Sequence, residues 1–496
     1  MFDFCSRLGA FTGICFLAVM QTACMVGPNF HSPKAPKVTR YTESSLPPKT
    51  AKSSGAGGQA QSFLMEKDIP LLWWELYHSP EINQLVRAGL RHNPTLASAS
   101  AALRQARETW KAQIGNSLLP AIDAGGGVQR QRYSALQIGG AAGRSATFTL
   151  YNVAATVSYT LDFFGGARRE IESLRAQVDY QQFEVIAANL TLTSNIVTTS
   201  VSIASYQAQI DATQELIKAE QGLLNILNHQ YRLGSVSNEN VLIQKTLVEQ
   251  TRATLPPLQK NLALAKHAMS ALVGTFPEGA LPKINLNRLK LPSELPLSIP
   301  SMLVRQRPDV RAAEALLHAA NAQIGVATAN LLPQISLTGN DGWLNTSWSK
   351  LFTSPNSVWS IAGQVAQPLF HGGALLAQRR AAIAAYDQAA AQYKQTVLQA
   401  FQNVADVLSA LETDARTLQA QVRAEAAAKA SLQLTLNQYR LGSVSYINLL
   451  NAQQQYQQTR ISRIQAQAQR YSDTAALFQA LGGGWWHKPW CVQECL

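Results

Sequence analysis

One seven-residue sequence occurs twice in the chain, and this duplication constrains the fold more than any other feature. The sequence Tyr-Arg-Leu-Gly-Ser-Val-Ser begins at Tyr231 and again at Tyr439, an offset of 208 residues. Other landmarks return at nearly the same spacing: Asn93-Pro94 with Arg307-Pro308, Leu118-Leu119-Pro120 with Leu331-Leu332-Pro333, and Phe164-Gly165-Gly166 with Phe370, Gly372 and Gly373. A repeated order of landmarks indicates an internally duplicated protein in which each half has the same layout.

The composition argues against a nucleic-acid-binding protein. Charged residues make up 15% of the chain, whereas roughly 25% is typical of soluble proteins. The net charge of +12 is spread along the sequence, and its densest groups are Arg168-Arg169 and Arg379-Arg380. Such pairs are too small for a nucleic-acid footprint. No internal apolar run reaches the ~18 residues of a membrane-spanning helix.

The N-terminus predicts a signal peptide at residues 1–23. Arg7 precedes an apolar run, and the small residue Ala23 stands just before Cys24. A cysteine in this place resembles a bacterial lipobox, so we expect Cys24 to be acylated after cleavage. The alternative is an ordinary signal peptide with an incidental cysteine, because Gln21 stands where an aliphatic residue is usual. Cys491 and Cys495 can pair or stay free, since spacing alone does not decide.

The rest of the chain divides at changes of composition. Residues 24–70 are rich in proline, glycine and serine, which predicts a lipidated tether without a packed core. We expect a first repeat at 71–273, an inter-repeat linker at 274–300, a second repeat at 301–481 and a C-terminal tail at 482–496.

Each repeat contains a stretch of period two that predicts a β-hairpin, at about 120–163 and about 333–370. From 148 to 162, apolar residues alternate with small or polar ones, and aromatic residues lie near both ends. A strand of a soluble sandwich can alternate in the same way. A length of about 15 residues with aromatic ends favours a lipid-facing barrel strand. The prediction is two hairpins and four strands per chain.

The remainder of each repeat predicts helices of unusual length. Residues 167–232 contain no proline, and residues 374–440 repeat this pattern. About 65 residues in one helix would span about 100 Å. Apolar residues recur every seven positions, as in Ile171, Val178, Val185 and Leu192. This spacing is typical of a coiled coil.

A hairpin end is predicted after each long helix. Gly234 and Gly442 suit the position after the last helical turn, which places turns at 231–237 and 439–445. Return helices should follow at 240–273 and 447–481. Pro256-Pro257 should kink the first of them.

Four lipid-facing strands cannot close a barrel, and open sheet edges are not tolerated in a bilayer. Known barrels begin at about eight strands, so a dimer or a twelve-stranded trimer would be needed. The small, polar faces of the strands favour the larger ring, which leaves room for a channel. We predict a mixed α and β membrane protein. A trimeric 12-stranded outer-membrane β-barrel, with four strands per chain, would continue into a long coiled-coil α-helical periplasmic barrel.

Motifs in both halves and at both ends carry a resemblance to a known family. They are Trp73-Trp74, Leu85, Ala88, Leu90, Asn93-Pro94 and Leu96 in the first repeat, and Arg307-Pro308-Asp309-Val310, Ala313-Glu314, Asn321 and Ile324-Gly325 in the second. In these motifs the chain resembles the outer-membrane efflux proteins, the TolC-like channels. The sequences Cys24-Met25-Val26-Gly27-Pro28-Asn29-Phe30 and Leu481-Gly482-Gly483-Gly484-Trp485 resemble the two ends of the lipoprotein branch of multidrug efflux channels.

The resemblance implies a homotrimer in the cell outer membrane, lipid-anchored and extending into the periplasm, with the linker at 274–300 in an equatorial position. It implies a periplasmic adaptor and an inner-membrane pump as partners, the pump being proton-driven by analogy. The expected function is a passive exit duct for drugs or other small molecules. The alternatives are the exit duct of a type I secretion system for proteins or peptides, and a periplasmic coiled-coil scaffold lipoprotein that forms no channel. No cofactor, metal or nucleic acid is implied.

The resemblance also assigns candidate sites to the hairpin ends. The residues expected to contact the adaptor are Arg232, Leu233, Gly234, Ser235, Arg440, Leu441, Gly442 and Ser443. The alternative is that each turn only caps its helix. Ile447, Asn451 and Gln454 match the positions of a periplasmic gate, where related channels carry an apolar ring and a charged ring. The charged ring is missing here, which predicts closure by packing and neutral hydrogen bonds.

The arginine pairs are candidates for the membrane interface. Arg168, Arg169, Arg379 and Arg380 all follow a Gly-Gly pair at the start of a long helix, where cations are unfavourable. One interpretation is contact with lipid headgroups. The other is solvated charges or partners for nearby acids.

Catalysis is not expected. The eight histidines are scattered without metal-ligand spacing, and no Gly-x-Ser-x-Gly sequence occurs.

Overall fold

In the computed structural model, the described residues are 25–43, 46–134 and 145–487. The predicted signal peptide, the acylation at Cys24, and Cys491 and Cys495 lie outside them. The described residues form two compact units. The first contains residues up to Pro33, Ala102–Gln181 and Ala313–Tyr393, and the second contains Lys34–Ala101, Gln182–Ala312 and the chain from Lys394 onward.

The secondary structure is dominated by helices. The strands are β1 (Ser62–Met65), β2 (Ala121–Ser134), β3 (Ser145–Leu161), β4 (Glu294–Leu297), β5 (Gln334–Asn345) and β6 (Ser357–Ala366). The α-helices are α1 (Pro80–His92), α2 (Pro94–Leu118), α3 (Gly166–Arg232), α4 (Asn238–Ala253), α5 (Leu255–Val273), α6 (Pro300–Gln306), α7 (Pro308–Ala329), α8 (Ala374–Arg440) and α9 (Tyr446–Ala480). Short 3-10 helices lie at Trp73–Tyr77, Leu286–Arg288, Trp348–Lys350, Ser354–Asn356 and Trp485–His487.

The sheet of the first unit contains the predicted period-two strands. Its order is β2-β3-β5-β6, and every neighbouring pair is antiparallel. Tyr159 lies opposite Leu337, and Leu161 lies opposite Ile335. Residues directly opposite in an antiparallel pair share a face, so the register collects the alternating apolar side chains on one side. The prediction of four strands in two hairpins is confirmed.

The two long helices have matching bounds. Helices α3 and α8 contain 67 residues each, and both their first and their last residues are 208 positions apart. Neither helix contains a proline, which would interrupt it. The predicted long helices are therefore confirmed.

The return helices of the two hairpins differ. Pro256 and Pro257 lack the amide hydrogens of a continuing helix, and the helix is interrupted at Thr254, between α4 and α5. Helix α9 runs without a break through 35 residues. The predicted kink is therefore a break between two helices. Within the described residues, no helix is both long enough and apolar enough to cross a membrane.

The N-terminal segment differs from the predicted tether. In the second unit, β1 pairs in parallel with β4, so that Ser62 lies opposite Glu294. The fully buried Arg470 donates hydrogen bonds to the carbonyl oxygens of Gly57 at 2.7 Å and Gln59 at 2.6 Å. Because these backbone groups satisfy a buried cation, the segment is bound to the protein. We therefore correct the expectation of a tether without packing.

Candidate functional site at the ends of the helical hairpins

The two copies of the repeated heptapeptide fold into the same turn. The amide of Ser235 donates to the carbonyl of Gln230 at 2.9 Å, and the amide of Ser443 donates to the carbonyl of Gln438 at 2.9 Å. Gly234 and Gly442 both have φ +74°, a left-handed conformation that glycine adopts without strain. This is the 6→1 bond of a glycine-terminated helix, so the identical sequence ends both long helices in the same way.

The predicted adaptor-contact residues are exposed at both ends. Arg232, Gly234 and Ser235 are exposed, as are Arg440, Gly442 and Ser443. Leu233 is 70% exposed and Leu441 is 84% exposed. A cap alone needs only the glycine, whereas each turn also presents a large apolar side chain to solvent. Single exposed apolar side chains are common on protein surfaces, so the adaptor contact stays a prediction.

Both ends rest on one apolar cluster in the second unit. Its buried members are Leu223, Leu224, Leu227, Val241, Val248, Tyr446 and Leu449. They come from α3 and α4 of the first hairpin and from α9 of the second. Leu432, Leu436 and Tyr439 of α8 pack against them. The two predicted adaptor-contact turns are therefore supported by the same apolar cluster.

A buried polar link joins the hairpins inside this support. The hydroxyl of Tyr446 donates to the side-chain oxygen of Gln244. The side-chain amide of Gln244 donates to the carbonyl of Glu220 at 3.0 Å. These two hydrogen bonds join α9 to α4 and α4 to α3.

Glu220 is the ionisable group in this link. Its side chain is 1% exposed, and Thr251 donates to one carboxyl oxygen at 3.2 Å. Within the described residues the other carboxyl oxygen has no hydrogen-bond partner. Burial raises the pKa of Glu220 to about 7, and the bond from Thr251 opposes that rise.

The burial of Glu220 was predictable from the sequence, although no motif of the family includes this residue. Counting in sevens from Leu192 along the predicted seam leads to Glu220 and then to Leu227. An acidic residue in phase with a coiled-coil core position is expected to be buried. The signal was therefore periodicity rather than resemblance.

The three predicted gate residues lie together on α9. Ile447, Asn451 and Gln454 are spaced by four and three residues, so they form one stripe on the helix. All three are exposed, and Ile447 is 50% exposed. Leu449 and Gln453 are buried between them in sequence. The stripe is thus turned away from the packed side of α9.

The four arginines do not share one environment. Arg168 pairs with Asp162 at 3.0 Å, which favours the interpretation of partners for nearby acids. Arg169 is 1% exposed and pairs with Glu172 at 2.7 Å. A side chain buried in this way does not reach a lipid headgroup, so the interface assignment of Arg169 is corrected. Arg379 and Arg380 are exposed.

In the part of the chain that the structure describes, no group of three or more histidine, cysteine, aspartate or glutamate residues is arranged to hold a metal ion.

Comparisons with known proteins agree with this geometry. The model of the outer membrane efflux protein family matches residues 85–275 and 299–483. The chain is 28% identical over 477 residues to the probable efflux pump outer membrane protein TtgC of Pseudomonas putida strain KT2440, with 95% of both chains covered. It is 28% identical to the cation efflux system protein CusC of Escherichia coli O6:H1 strain CFT073, over 95% of this chain and 97% of CusC.

Solved structures show the same architecture. The outer-membrane channel OprN superposes with a TM-score of 0.83 at 26% identity, over 93% of this chain and 100% of OprN.

Proposed function

Because this chain belongs to the outer membrane efflux protein family, we propose that it is the outer-membrane duct of a tripartite efflux system. Small molecules delivered by an inner-membrane pump would leave the cell through its bore. The role is passive: the chain supplies a passage, and the pump supplies the energy. The function of the similar proteins and the combination of a β-sheet with two 67-residue helices support this role.

The observation that carries the proposal is the open sheet. Among the described residues, β2 pairs only with β3, and β6 pairs only with β5. These edge strands have 14 and 10 residues. In a bilayer such edges must be paired, and a second copy of the chain can supply the missing strand. Three copies would give a ring of twelve strands, wide enough for a channel.

The anchor and the location follow from the same role. We place the sheet in the cell outer membrane and the long hairpins in the periplasm. A lipid on Cys24 would add a second attachment. Labelled palmitate incorporated by the full-length protein, and lost in Cys24→Ser, tests this part.

The adaptor would dock at the exposed ends of the hairpins. Leu233 and Leu441 supply apolar contacts, and Arg232 and Arg440 supply charged ones. We assign the closed state to the stripe Ile447, Asn451 and Gln454. The absence of a charged residue from this stripe supports closure without ion pairs.

The central experiment measures channel formation. Protein extracted from outer membranes should migrate differently on gels with and without heating, and should conduct in planar bilayers. A water-soluble monomer without conductance would refute the duct. Single cysteines at Ser235 and Ser443, in a background with Cys491→Ser and Cys495→Ser, should cross-link to an adaptor in cells. A cysteine at Lys283, in the inter-repeat segment, serves as the control.

The gate has its own test. Without a charged ring, conductance through the closed end should change little with divalent cations. Strong block by millimolar divalent cations would contradict the assignment, since it would require carboxylates at the constriction.

A further inference from the structure

The segment that follows Cys24 meets a buried arginine. The guanidinium of Arg169 donates hydrogen bonds to the carbonyl oxygens of Val26 at 3.1 Å and Gly27 at 3.4 Å. It also donates to the side-chain oxygen of Asn29 at 2.7 Å, and it pairs with Glu172 at 2.7 Å. Arg169 is 1% exposed, so Glu172 neutralises a buried charge, and Val26, Gly27 and Asn29 accept its other hydrogen bonds.

Two glycines allow the backbone to come this close. Gly27 has φ +91°, and a Cβ at this position would lie 2.5 Å from the Cα of Gly325 on α7. A Cβ at Gly325 would in turn lie 2.7 Å from Cγ of Arg169. A larger residue at either position would separate the segment from the arginine. The fit therefore depends on backbone shape as well as on charge.

The two ends of the segment have further contacts. The amide of Val26 donates to the carbonyl of Phe164 at 3.1 Å, just beyond the end of β3. The ring of Phe30 stacks on His318 of α7, with centroids 4.3 Å apart and planes 12° apart. His318 lies 2.9 Å from Glu172, the partner of Arg169. One connected group of side chains thus holds the segment from Val26 to Phe30.

We propose that Arg169, Glu172, His318 and Gly325 form a binding site for the chain's own N-terminal segment, Met25–Phe30. The site recognises main-chain carbonyls, the side-chain oxygen of Asn29 and one aromatic ring, so it needs no lipid. Through Val26, it holds the chain beside the end of β3, two residues after Cys24. A flexible tether over residues 24–70 would instead give the lipid a root-mean-square distance of roughly 34–41 Å from the body of the protein. Arg169 is the positioning residue of this site.

The role for the lipid rests on the proposed function, whereas the peptide site does not. The test places p-benzoylphenylalanine at Phe30 in the full-length protein in outer membranes. Illumination followed by trypsin should join the peptide that ends at Lys34 to the peptide 312–350, which contains His318. We expect Arg169→Gln to lower the cross-link yield at least about 10-fold, because several hydrogen bonds to a charged donor are lost.

The matched control is Arg175→Gln. It removes the same charge from the same helix, but Arg175 pairs with Asp179 at 3.6 Å and lies over the ring of Trp110 at 5.1 Å. This variant should cross-link at the parental yield, and so should Cys24→Ser. Unchanged cross-linking in Arg169→Gln would overturn the proposal, and so would its loss in Cys24→Ser.

A second variant decides the matter if Arg169→Gln does not fold. Gly27→Ala leaves the arginine in place but brings a methyl group against Gly325, and it should lower the yield to a similar degree. Normal cross-linking in Gly27→Ala would refute the site. Palmitate labelling and conductance test the proposed function separately: a protein that cross-links normally but forms no channel contradicts the duct and not the binding site.

Discussion

The long helices α3 and α8 have the same length and end in the same turn, yet they begin differently. In α3, four of the first thirteen residues are buried side chains that include Arg169 and Val178, the others being Ser173 and Ala176. In α8 no residue from Ala374 to Gln392 is buried, and the first buried side chain is Tyr393. The start of the long helix therefore packs against other parts of the chain in the first repeat only. In a single chain the beginning of α8 is therefore exposed, and we expect copies of the chain to cover it.

The helices also differ near their ends. With the offset of 208 residues, Glu220 of α3 corresponds to Ala428 of α8. Both positions are buried, but only the first carries an ionisable group. At this pair of positions, sensitivity to pH should therefore belong to the first hairpin alone.

The largest contrast is expected between two leucines of α8. Leu411 is fully buried and Leu398 is 65% exposed. Leu411→Ala leaves a cavity and should lower the free energy of unfolding by about 2–5 kcal/mol. Leu398→Ala should change it by less than about 0.5 kcal/mol within one chain. Thermal unfolding followed by circular dichroism measures the first effect.

The exposed leucine of this pair also tests whether copies of the chain assemble. If Leu398 lies between copies, Leu398→Ala should shift the oligomer toward monomer in dilute detergent while the helical signal stays unchanged. Sedimentation reports the shift. An oligomer as stable as that of the parent protein would show that this part of α8 faces no other copy.

The second contrast concerns pH. Burial raises the pKa of Glu220 from 4.5 to about 7, so the folded protein binds a proton that the unfolded chain releases between these values. The stability that Glu220 contributes is therefore complete below about pH 4.5 and is lost as the pH rises to about 7. The loss should be roughly 2 kcal/mol after allowance for partial screening.

Glu220→Ala makes the first repeat resemble the second at this position. Its unfolding temperature should fall less steeply between pH 4.5 and pH 7 than that of the parent protein. The comparison uses slopes, because the cavity left by the alanine lowers stability at every pH. Identical slopes would place the titrating group elsewhere, for example at Asp414, whose pKa is raised to about 8 by burial and by its hydrogen bond with Asp473.

In the third comparison, no difference is expected between the glycines of the two turns. Gly234→Ala and Gly442→Ala each force a residue with a Cβ into φ +74°, at a cost of about 1 kcal/mol. Hydrogen exchange of the amides of Ser235 and Ser443 should accelerate equally in the two variants. A clear inequality would mean that one turn is held by contacts that the other lacks.

The smallest effect is expected for the exposed arginines. Replacing Arg379 and Arg380 with glutamine should change the free energy of unfolding by less than about 0.5 kcal/mol. If they contact headgroups, insertion into anionic vesicles should weaken by about 1 kcal/mol per arginine, with no change in neutral vesicles. Equal insertion into both would remove the headgroup interpretation.

Local signals in the sequence were sufficient for the long helices, the four strands of the larger sheet and the turns, but not for β1 and β4. The proline-free runs predicted α3 and α8, and Gly234 and Gly442 predicted their ends. Period-two alternation predicted the strands, because successive side chains of a strand point to opposite faces of the sheet. These features depend on residues close together in the chain, so a single sequence contains them.

Contacts between distant residues could not be predicted in this way. The burial of Arg169 depends on a segment about 140 residues earlier, and composition suggested that this segment was free. The arginine pairs looked equivalent by their place after Gly-Gly. Counted along the helices, however, Arg168 and Arg169 are the third and fourth residues of α3, whereas Arg379 and Arg380 are the sixth and seventh of α8. A shift of almost one turn gives them different neighbours.

The equal lengths of α3 and α8 limit how this protein can change in evolution. Each residue of a helix adds about 1.5 Å of rise and about 100° of rotation. A single deletion in α8 would withdraw Leu441 by that distance and turn it to another side, while Leu233 stayed in place. Insertions and deletions should therefore be tolerated only when they occur in both helices together, and most readily in steps of seven residues.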